Sequence, residues 1–290
     1  MRAVWRVGRY GFLAAPIAFV AMFLLAPLAL TGVLSFWKRA GFKLEPAFTL
    51  ASYEAFFSGV RLSVLEKSLV LAVIVTVLGL LVAYPIAYFL SNRVSRRTSQ
   101  VFLFLLAVPF VINPIIRNFS LAWLLGRTGP INSGLAALGL TDGPVDWLLF
   151  SDFAVVLGLV MSYMPFMIYP LWLALSGIDR RLVEASWMLG ASPAATFRRI
   201  TLPLSLPGVF AASIFGFVGT FGESSVPIIL GGLGYQLMGN TITSSLDVLN
   251  YPLAAAMSSV VAATMLAFLI AWYGLFDIRG FLGKITRWRV

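Results

Sequence analysis

Cysteine and histidine are both missing from this chain. Without cysteine there is no disulfide, thiolate nucleophile or cysteine-ligated metal, and without histidine the commonest metal ligand and general base is lost. The sequence also lacks a Gly-x-x-x-x-Gly-Lys-Ser/Thr loop, which binds nucleotide phosphates in many ATPases. We therefore expect no catalytic residues, no metal site and no cofactor in this chain, and any ATP that drives it would be bound by another chain.

Charged residues are scarce as well. They make up 11% of the 290 residues, whereas 60% are hydrophobic and the mean hydropathy is +0.94. A soluble domain has about 25% charged residues, so this composition predicts an all-α membrane protein that crosses the lipid bilayer several times. In a soluble protein the net charge of +10 would suggest nucleic acid. Here the positions of the charges matter more than their sum, and we expect no nucleic-acid partner.

Six long segments, nearly free of charge, predict transmembrane helices within one domain that covers residues 1–290. At about 1.5 Å per residue, such segments match a hydrocarbon core of about 30 Å. The first segment is too long for the apolar part of a signal peptide, which spans about 7 to 15 residues. The predicted helices cover residues 12–36, 68–91, 100–117, 153–177, 204–222 and 250–274.

The basic residues are distributed unevenly between the two sides that this topology creates. Both termini, the loop at 93–97 and the loop at 179–203 together hold 14 of the 21 Lys and Arg residues but only 3 of the 11 acidic residues. Because cytoplasmic loops carry an excess of Lys and Arg, this bias predicts that both termini and both loops are cytoplasmic.

The second of these loops is a polar segment in an otherwise apolar sequence. Asp179 and Ser192 are suited to cap two short helices, Gly190 to end the first in a left-handed conformation, and Pro193 to begin the second. We expect Pro203 to end this unit. One face of the first helix is suited to docking on another protein. That face carries Leu182, Ala185, Ser186 and Leu189. An ordinary loop with capped turns is the alternative.

Residues near the ends of the predicted helices are candidates for a translocation path. Glu223 is the acidic residue nearest a membrane helix, and ionisable groups inside membranes are functional candidates; the alternative is a charge at the outer rim that faces water. Asn113 and Arg117 lie at the far end of the third predicted helix, and Arg117 is either an interfacial anchor or part of the path. Gly219 belongs to a row of glycines at three-residue spacing, which indicates helix packing or a pore-facing stripe.

The spacing within the polar loop resembles the EAA loop of ABC-importer permeases. It reads Glu184-Ala185-Ser186, then Gly190, Ile200 and Leu202-Pro203. Only Ser186 departs, because that family usually has alanine there. In that family the loop forms a coupling helix, which sits in a cleft of a separate ATPase subunit and carries its motion to the membrane helices. The resemblance implies that the contact is made by Leu182, Glu184, Ala185, Ser186, Leu189 and Gly190. Glu184 would pair with a basic group or cap its own helix.

Beyond this loop, the chain is similar to ABC permeases of the spermidine/putrescine type, and to the first of their two paired membrane subunits. The segments 106–117, 124–132 and 222–232 carry this similarity. It implies the fold of a type I ABC-importer permease in the bacterial inner membrane. It also implies three partners: a dimer of ATP-binding subunits that binds ATP and Mg, a second permease subunit and a periplasmic solute-binding protein. The chain itself would not be an enzyme.

The resemblance further implies a small polar solute, with a polyamine or a related amine as the first expectation. A cationic amine would be attracted to Glu223, with Tyr163 or Tyr169 available for cation–π contact. The same branch also serves opines, aminophosphonates and other small solutes. A rival of another class is a secondary transporter or channel that works alone, which predicts acidic relays within the helices. A membrane enzyme is a weaker rival, because histidine and cysteine are missing.

Overall fold

The computed structural model describes residues 15–41 and 43–275, and this part of the chain is mainly helical. Residues 12–14 of the first predicted helix and the basic segments at both ends of the chain lie outside the described residues. In chain order the helices are α1 (Ala15–Leu34), α2 (Ala51–Phe57), α3 (Arg61–Asn92), α4 (Arg96–Ala107), α5 (Pro114–Leu125), α6 (Pro130–Ala137), α7 (Asp152–Ser176), α8 (Arg180–Met188), α9 (Pro193–Phe221), α10 (Ser225–Leu230), α11 (Met238–Asp247) and α12 (Tyr251–Leu275).

The chain divides into two compact units. The first contains the described residues up to Ser63 together with residues 242–264, and the second contains residues 64–241 and 265–275. In the first unit, a short antiparallel hairpin pairs β1 (Lys38–Ala40) with β2 (Lys43–Glu45). The segment that precedes the hairpin packs on aromatic residues, since the Phe36 ring stacks on Phe48 with 4.7 Å between centroids and lies 5.5 Å from Tyr53.

Five of the described helical segments are long and apolar enough to cross a membrane. These segments are Ala15–Leu34, Arg61–Asn92, Asp146–Ser176, Pro193–Phe221 and Tyr251–Gly274. They overlap five of the predicted helices, but α3 begins earlier than the predicted 68–91, so that Glu66 and Lys67 fall within its first turns. The fold is that of a multispanning helical membrane protein.

The prediction of a single third helix at 100–117 is wrong. After α4 a 3-10 turn covers Val108–Phe110, the helix breaks, and the chain resumes as α5 at an angle of 91°. Asn113 causes the restart, because its side-chain oxygen accepts the Ile115 N–H at 2.9 Å and Pro114 follows in the first turn. An Asn-Pro pair begins a helix rather than continuing one. Counted as one span, this bent pair brings the candidate spans to six.

The polar loop forms two helices with the predicted caps. The Asp179 carboxylate accepts the Arg181 N–H at 2.9 Å, and the Ser192 hydroxyl accepts the Ala195 N–H at 3.3 Å. Gly190 has φ of +79°, the left-handed conformation expected after α8. The sequence therefore predicted this local geometry correctly.

The expectation that Pro203 ends the loop unit is wrong, because α9 continues through it. The element runs from Pro193 to Phe221 as one segment of 29 residues, so it begins well before the predicted start at 204. A π turn at Phe197–Thr201 comes just before Pro203. The regular hydrogen-bond pattern, which proline would break, is already interrupted there. The loop and the fifth membrane helix are thus one continuous element.

The second unit is organised around the crossing of α7 and α9. At Gly208 an added Cβ would lie 2.5 Å from the Ala174 Cβ, and at Gly219 it would lie 2.2 Å from the Tyr163 ring. Gly216 meets Met167 in the same way, at 3.1 Å. These contacts leave no room for a side chain, so glycine sets the distance between the two helices. Gly222 does not take part, since a Cβ added there would lie 3.6 Å from its nearest neighbour, the Val218 carbonyl oxygen.

Two buried apolar clusters flank this crossing within the second unit. One surrounds the first half of α7 and includes Leu159 with Leu230 of α10. The other surrounds the second half and includes Ile168 and Leu171 of α7 with Leu103 of α4. Together they hold α3, α5 and α10 on α7, so α7 is the central helix of this unit.

Replacing Gly208 by alanine should destabilise the protein. The new Cβ would lie 2.5 Å from the Ala174 Cβ and 2.8 Å from the Pro170 carbonyl oxygen, and overpacking of this kind costs about 1 to 3 kcal/mol. The measurement is the thermal unfolding of the full chain in detergent, with Gly222→Ala as the matched control. Equal melting temperatures for the two variants would contradict the close approach of α7 and α9.

Candidate functional site

Six polar residues form a connected cluster within the second unit. The polar cluster consists of Arg117, Asn118, Ser162, Tyr163, Glu223 and Ser225. Three side-chain links join its elements. The Tyr163 hydroxyl donates to the Glu223 Oε2 at 2.7 Å, an Arg117 N–H donates to the Ser162 hydroxyl at 3.1 Å, and the Asn118 amide donates to the Ser225 hydroxyl at 3.1 Å. The cluster thus connects α5 and α7 with the turn between α9 and α10.

Glu223 is held mainly by the start of α10. Its Oε1 accepts the backbone N–H groups of Ser224 at 3.1 Å, Ser225 at 2.8 Å and Val226 at 3.4 Å, and also the Ser225 hydroxyl at 2.6 Å. The carboxylate therefore satisfies donors that a helix start would otherwise leave unpaired. Its Oε2 accepts only the Tyr163 hydroxyl among the residues that the structure describes. Because a carboxylate oxygen has two acceptor positions, Oε2 keeps one for a further donor.

Arg117 is half-buried against α7 and an aromatic ring. Its guanidinium carbon lies 4.8 Å from the centroid of the Phe110 ring, a cation–π distance. Its partner Ser162 and the adjacent Tyr163 lie near the middle of the 25-residue α7, more than about 15 Å from either end of the helix. Arg117 therefore lies beside the middle of α7.

The other predicted path residues lie outside the polar cluster. Asn113 is exposed, and its side chain caps α5. The Tyr169 hydroxyl donates to the Leu103 carbonyl of α4 at 2.7 Å, which ties it to a different neighbour. Gly219 lies directly under the Tyr163 ring, so the helix-packing alternative accounts for this glycine. Of the predicted residues, the structure brings Arg117, Tyr163 and Glu223 into the polar cluster.

Sequence reasoning missed three members of the polar cluster. Asn118, Ser162 and Ser225 are small polar residues within apolar segments, and nothing in their spacing distinguishes them from residues that bond to their own helix. Asn118 is 2% exposed, and a buried amide needs a partner. Its position beside Arg117 was the available signal. Among the described residues, no group of three or more Asp and Glu side chains is placed to hold a metal ion.

A second candidate site is the apolar surface of α8 and the residue that follows it. We define the loop surface as Leu182, Trp187, Met188 and Leu189. Met188 is 89% exposed and Leu189 is 88% exposed, although they lie in a polar loop. Ala185, Gly190 and Glu184 are exposed beside them. Because Asp179 provides the cap of α8, Glu184 does not serve as the cap of its own helix.

Ser186 faces inward, contrary to the expectation that it lies on the docking face. It is 8% exposed. Its hydroxyl donates to the Val183 carbonyl at 2.7 Å and pairs with the Thr196 hydroxyl at 2.8 Å. The hydroxyl therefore links α8 to the start of α9. A serine at this position connects the two helices of the loop, which an alanine side chain lacks the atoms to do.

Comparison with protein families gives a match over most of the chain. Residues 75–279 match the family described as the binding-protein-dependent transport system inner membrane component. The spermidine/putrescine transport system permease protein PotB of Escherichia coli is 35% identical over 231 residues, which cover 79% of this chain and 83% of that protein. The PotB protein of Haemophilus influenzae is 32% identical over 259 residues, with 88% and 90% covered.

Solved structures share the fold at lower identity. A bacterial ABC transporter involved in the import of the acidic polysaccharide alginate contains a chain that matches with a TM-score of 0.74 and 17% identity, covering 95% of this chain and 98% of that chain. The alginate transporter in complex with its alginate pentasaccharide-bound periplasmic protein gives a TM-score of 0.72 and 16% identity, with 95% of both chains covered.

Replacing Glu223 by alanine should destabilise the protein more than replacing it by glutamine. Alanine removes the acceptor for the α10 start and leaves buried donors unpaired, at about 1 to 3 kcal/mol, whereas the glutamine oxygen can still accept these N–H groups. Thermal unfolding of both variants in detergent checks this, with the exposed Glu66→Ala on α3 as the control. If alanine and glutamine variants unfold at the same temperature, Glu223 does not cap α10.

Proposed function

The chain belongs to the family of inner membrane components of binding-protein-dependent transport systems, and from this premise we propose that it forms half of the translocation path of an ATP-driven importer for a polyamine or a related amine. It is the permease of an ABC importer and a multi-pass protein of the bacterial inner membrane. In the proposed topology both termini and the α8 loop are cytoplasmic, on the argument of the Lys and Arg bias.

Coupling to ATP hydrolysis is assigned in this proposal to the loop surface. Met188 and Leu189 leave nearly their whole side chains exposed, and clustered apolar side chains in a polar loop mark an interaction surface. The proposed partner there is a dimer of ATP-binding subunits, which binds ATP and Mg. A second permease subunit completes the path, and a periplasmic solute-binding protein delivers the solute.

The continuity of α9 supports this assignment. The helix has 29 residues, or about 43 Å at 1.5 Å per residue. It begins next to the loop surface, at the Ser192 cap, and ends two residues before Glu223. A displacement of the loop would therefore be transmitted along one element to the polar cluster. Such a connection is what alternating access requires of a permease driven from one side.

The observation that carries the amine proposal is the free acceptor position on the Glu223 Oε2. An ammonium group placed there would be bound by the carboxylate and would lie beside the Tyr163 ring. Arg117 of α5 brings a positive charge close to this position, because it donates to Ser162, the residue before Tyr163 in α7. A cationic solute would thus be held weakly, which suits a path that must also release what it binds.

Import of an opine or an aminophosphonate is the second candidate, and Arg117 is the observation that favours it. A guanidinium binds carboxylate and phosphonate groups in a bidentate manner, and these solutes carry such a group together with an amine. Arg117 and Glu223 would then bind the opposite charges of one solute. The binding specificity of the cognate periplasmic protein, measured by calorimetry with polyamines, opines and aminophosphonates, distinguishes the two candidates.

Replacing Leu189 by lysine should weaken the contact with the ATP-binding subunits, because it places a charge in an apolar interface. We expect at least a tenfold loss in the amount of ATP-binding subunit that co-purifies with the permease, and a similar loss of uptake. The control is Leu138→Lys, because Leu138 is 75% exposed and lies in another loop. Full co-purification with Leu189→Lys would remove the loop surface from the interface.

Replacing Glu223 by glutamine should selectively weaken amine uptake, because the change removes the charge but keeps an acceptor for the α10 start. We expect about a tenfold lower rate of spermidine uptake in proteoliposomes that contain the complete importer. The controls are Glu66→Gln, which removes an exposed carboxylate, and ATP hydrolysis by the same complex. An unchanged rate with Glu223→Gln would refute the role of Glu223 in the amine path.

A further inference from the structure

A polar cavity lies at the C-terminal end of α7. At this point α3 also ends, and α4 and α8 begin. Its volume is about 390 Å³. Its walls include Arg96, the first residue of α4, and Arg180, the first residue of α8, together with Trp172 of α7 and the backbone around Gly177. All of these residues belong to the second unit. None of them takes part in the polar cluster or the loop surface.

The two arginines of this cavity have no anionic partner within the part of the chain that the structure describes. The ion pairs found there are Lys67 with Asp152 and Arg127 with Asp146, so Arg96 and Arg180 are unpaired in residues 15–41 and 43–275. Both arginines are exposed and both line the cavity, so a ligand can reach them. Guanidinium groups bind phosphate through charge-assisted and often bidentate hydrogen bonds.

An apolar groove adjoins the polar cavity. Its volume is also about 390 Å³, and α3 and α4 supply its walls. The lining residues are all apolar: Pro85, Ile86, Phe89, Leu90, Phe102 and Leu106. Leu90 lines both the groove and the polar cavity. A ligand with an anionic head and a hydrocarbon chain would place one part in each.

The position along the spans matches the boundary of a bilayer. The candidate spans Arg61–Asn92 and Asp146–Ser176 end at the polar cavity, whose lining includes Asn92 and Ser176. The groove residues of α3 lie within seven residues before Asn92, or about 10 Å further into the span. Phospholipid headgroups and acyl chains have the same relative depth in a membrane, and basic pockets at this level bind anionic headgroups.

We propose that the polar cavity and the apolar groove together bind one anionic phospholipid, with its phosphate at Arg96 and Arg180 and one acyl chain along α3 and α4. The apolar groove favours a lipid over a free phosphate, because a free phosphate has no apolar group that could bind in the groove. Since Arg180 is the first residue of α8, the lipid would also fix the start of the helix that carries the loop surface.

The test is native mass spectrometry of the full chain in detergent, titrated with phosphatidylglycerol, phosphatidylcholine or inorganic phosphate. We expect phosphatidylglycerol to bind at least tenfold more tightly than phosphatidylcholine, and Arg96→Gln with Arg180→Gln to abolish this preference. The matched control is Arg93→Gln with Arg97→Gln, which removes the same number of charges beside Arg96 but at positions outside the cavity lining. Equal phosphatidylglycerol binding by both double variants would overturn the proposal.

A second pair of variants separates a lipid from a free anion. Phe102→Ala shortens the groove wall, whereas Phe104→Ala removes another exposed ring of α4 that does not line the groove. We expect only Phe102→Ala to weaken phosphatidylglycerol binding, by about fivefold, without changing competition by phosphate. If phosphate competes as strongly as the lipid and the two variants behave alike, the cavity binds a free anion and the lipid proposal fails.

A measurement on the unmodified chain makes the proposal independent of the folding of any variant. Phosphatidylglycerol with a photoreactive acyl chain, added to the assembled importer in liposomes, should label residues 85–106. Labelling elsewhere, or the loss of labelling when the second permease subunit is present, would overturn the proposal. The latter outcome would mean that a protein surface covers the groove.

Discussion

The close crossing of α7 and α9 is the contact on which the second unit depends. It exists because Gly208, Gly216 and Gly219 present no side chains toward α7. Between two membrane helices the hydrophobic effect gives little drive for association, so close packing and polar contacts must provide it. The crossing provides close packing, because Gly208 lets the two helices approach at Ala174. It also provides a polar contact, because the Tyr163 ring lies over Gly219 and its hydroxyl donates to Glu223.

Each charged group of the polar cluster is held by contacts with its neighbours in the chain. Glu223 accepts the donors at the start of α10, and Arg117 is held between Ser162 and the Phe110 ring. Buried charges are tolerated when they are hydrogen-bonded. The two charges do not neutralise each other in a direct ion pair within the described residues. They remain separate groups of opposite sign within the cluster.

α9 connects the loop with the polar cluster. Ser186 and Thr196 fix α8 on the first turn of α9, and the other end of α9 leads directly into Glu223. A π turn at Phe197–Thr201 lies between these ends. Such turns are rare and interrupt the regular hydrogen-bond pattern of a helix.

The sequence by itself determined the class of the protein and the local geometry of the polar loop. Low charge and long apolar segments exclude a soluble fold, and the caps at Asp179 and Ser192 and the left-handed Gly190 depend on residues a few positions apart. The break at Asn113 was also encoded locally, but the long apolar run around it masked the signal.

Only the tertiary structure decided which polar residues meet. The links of the polar cluster join residues 45, 60 and 107 positions apart in the chain, and no periodicity connects such distant positions. Asn118, Ser162 and Ser225 are each unremarkable within their own segments. They become a site because glycines on one helix let another approach closely, and the packing distance between helices is a property of both surfaces that neither segment specifies alone.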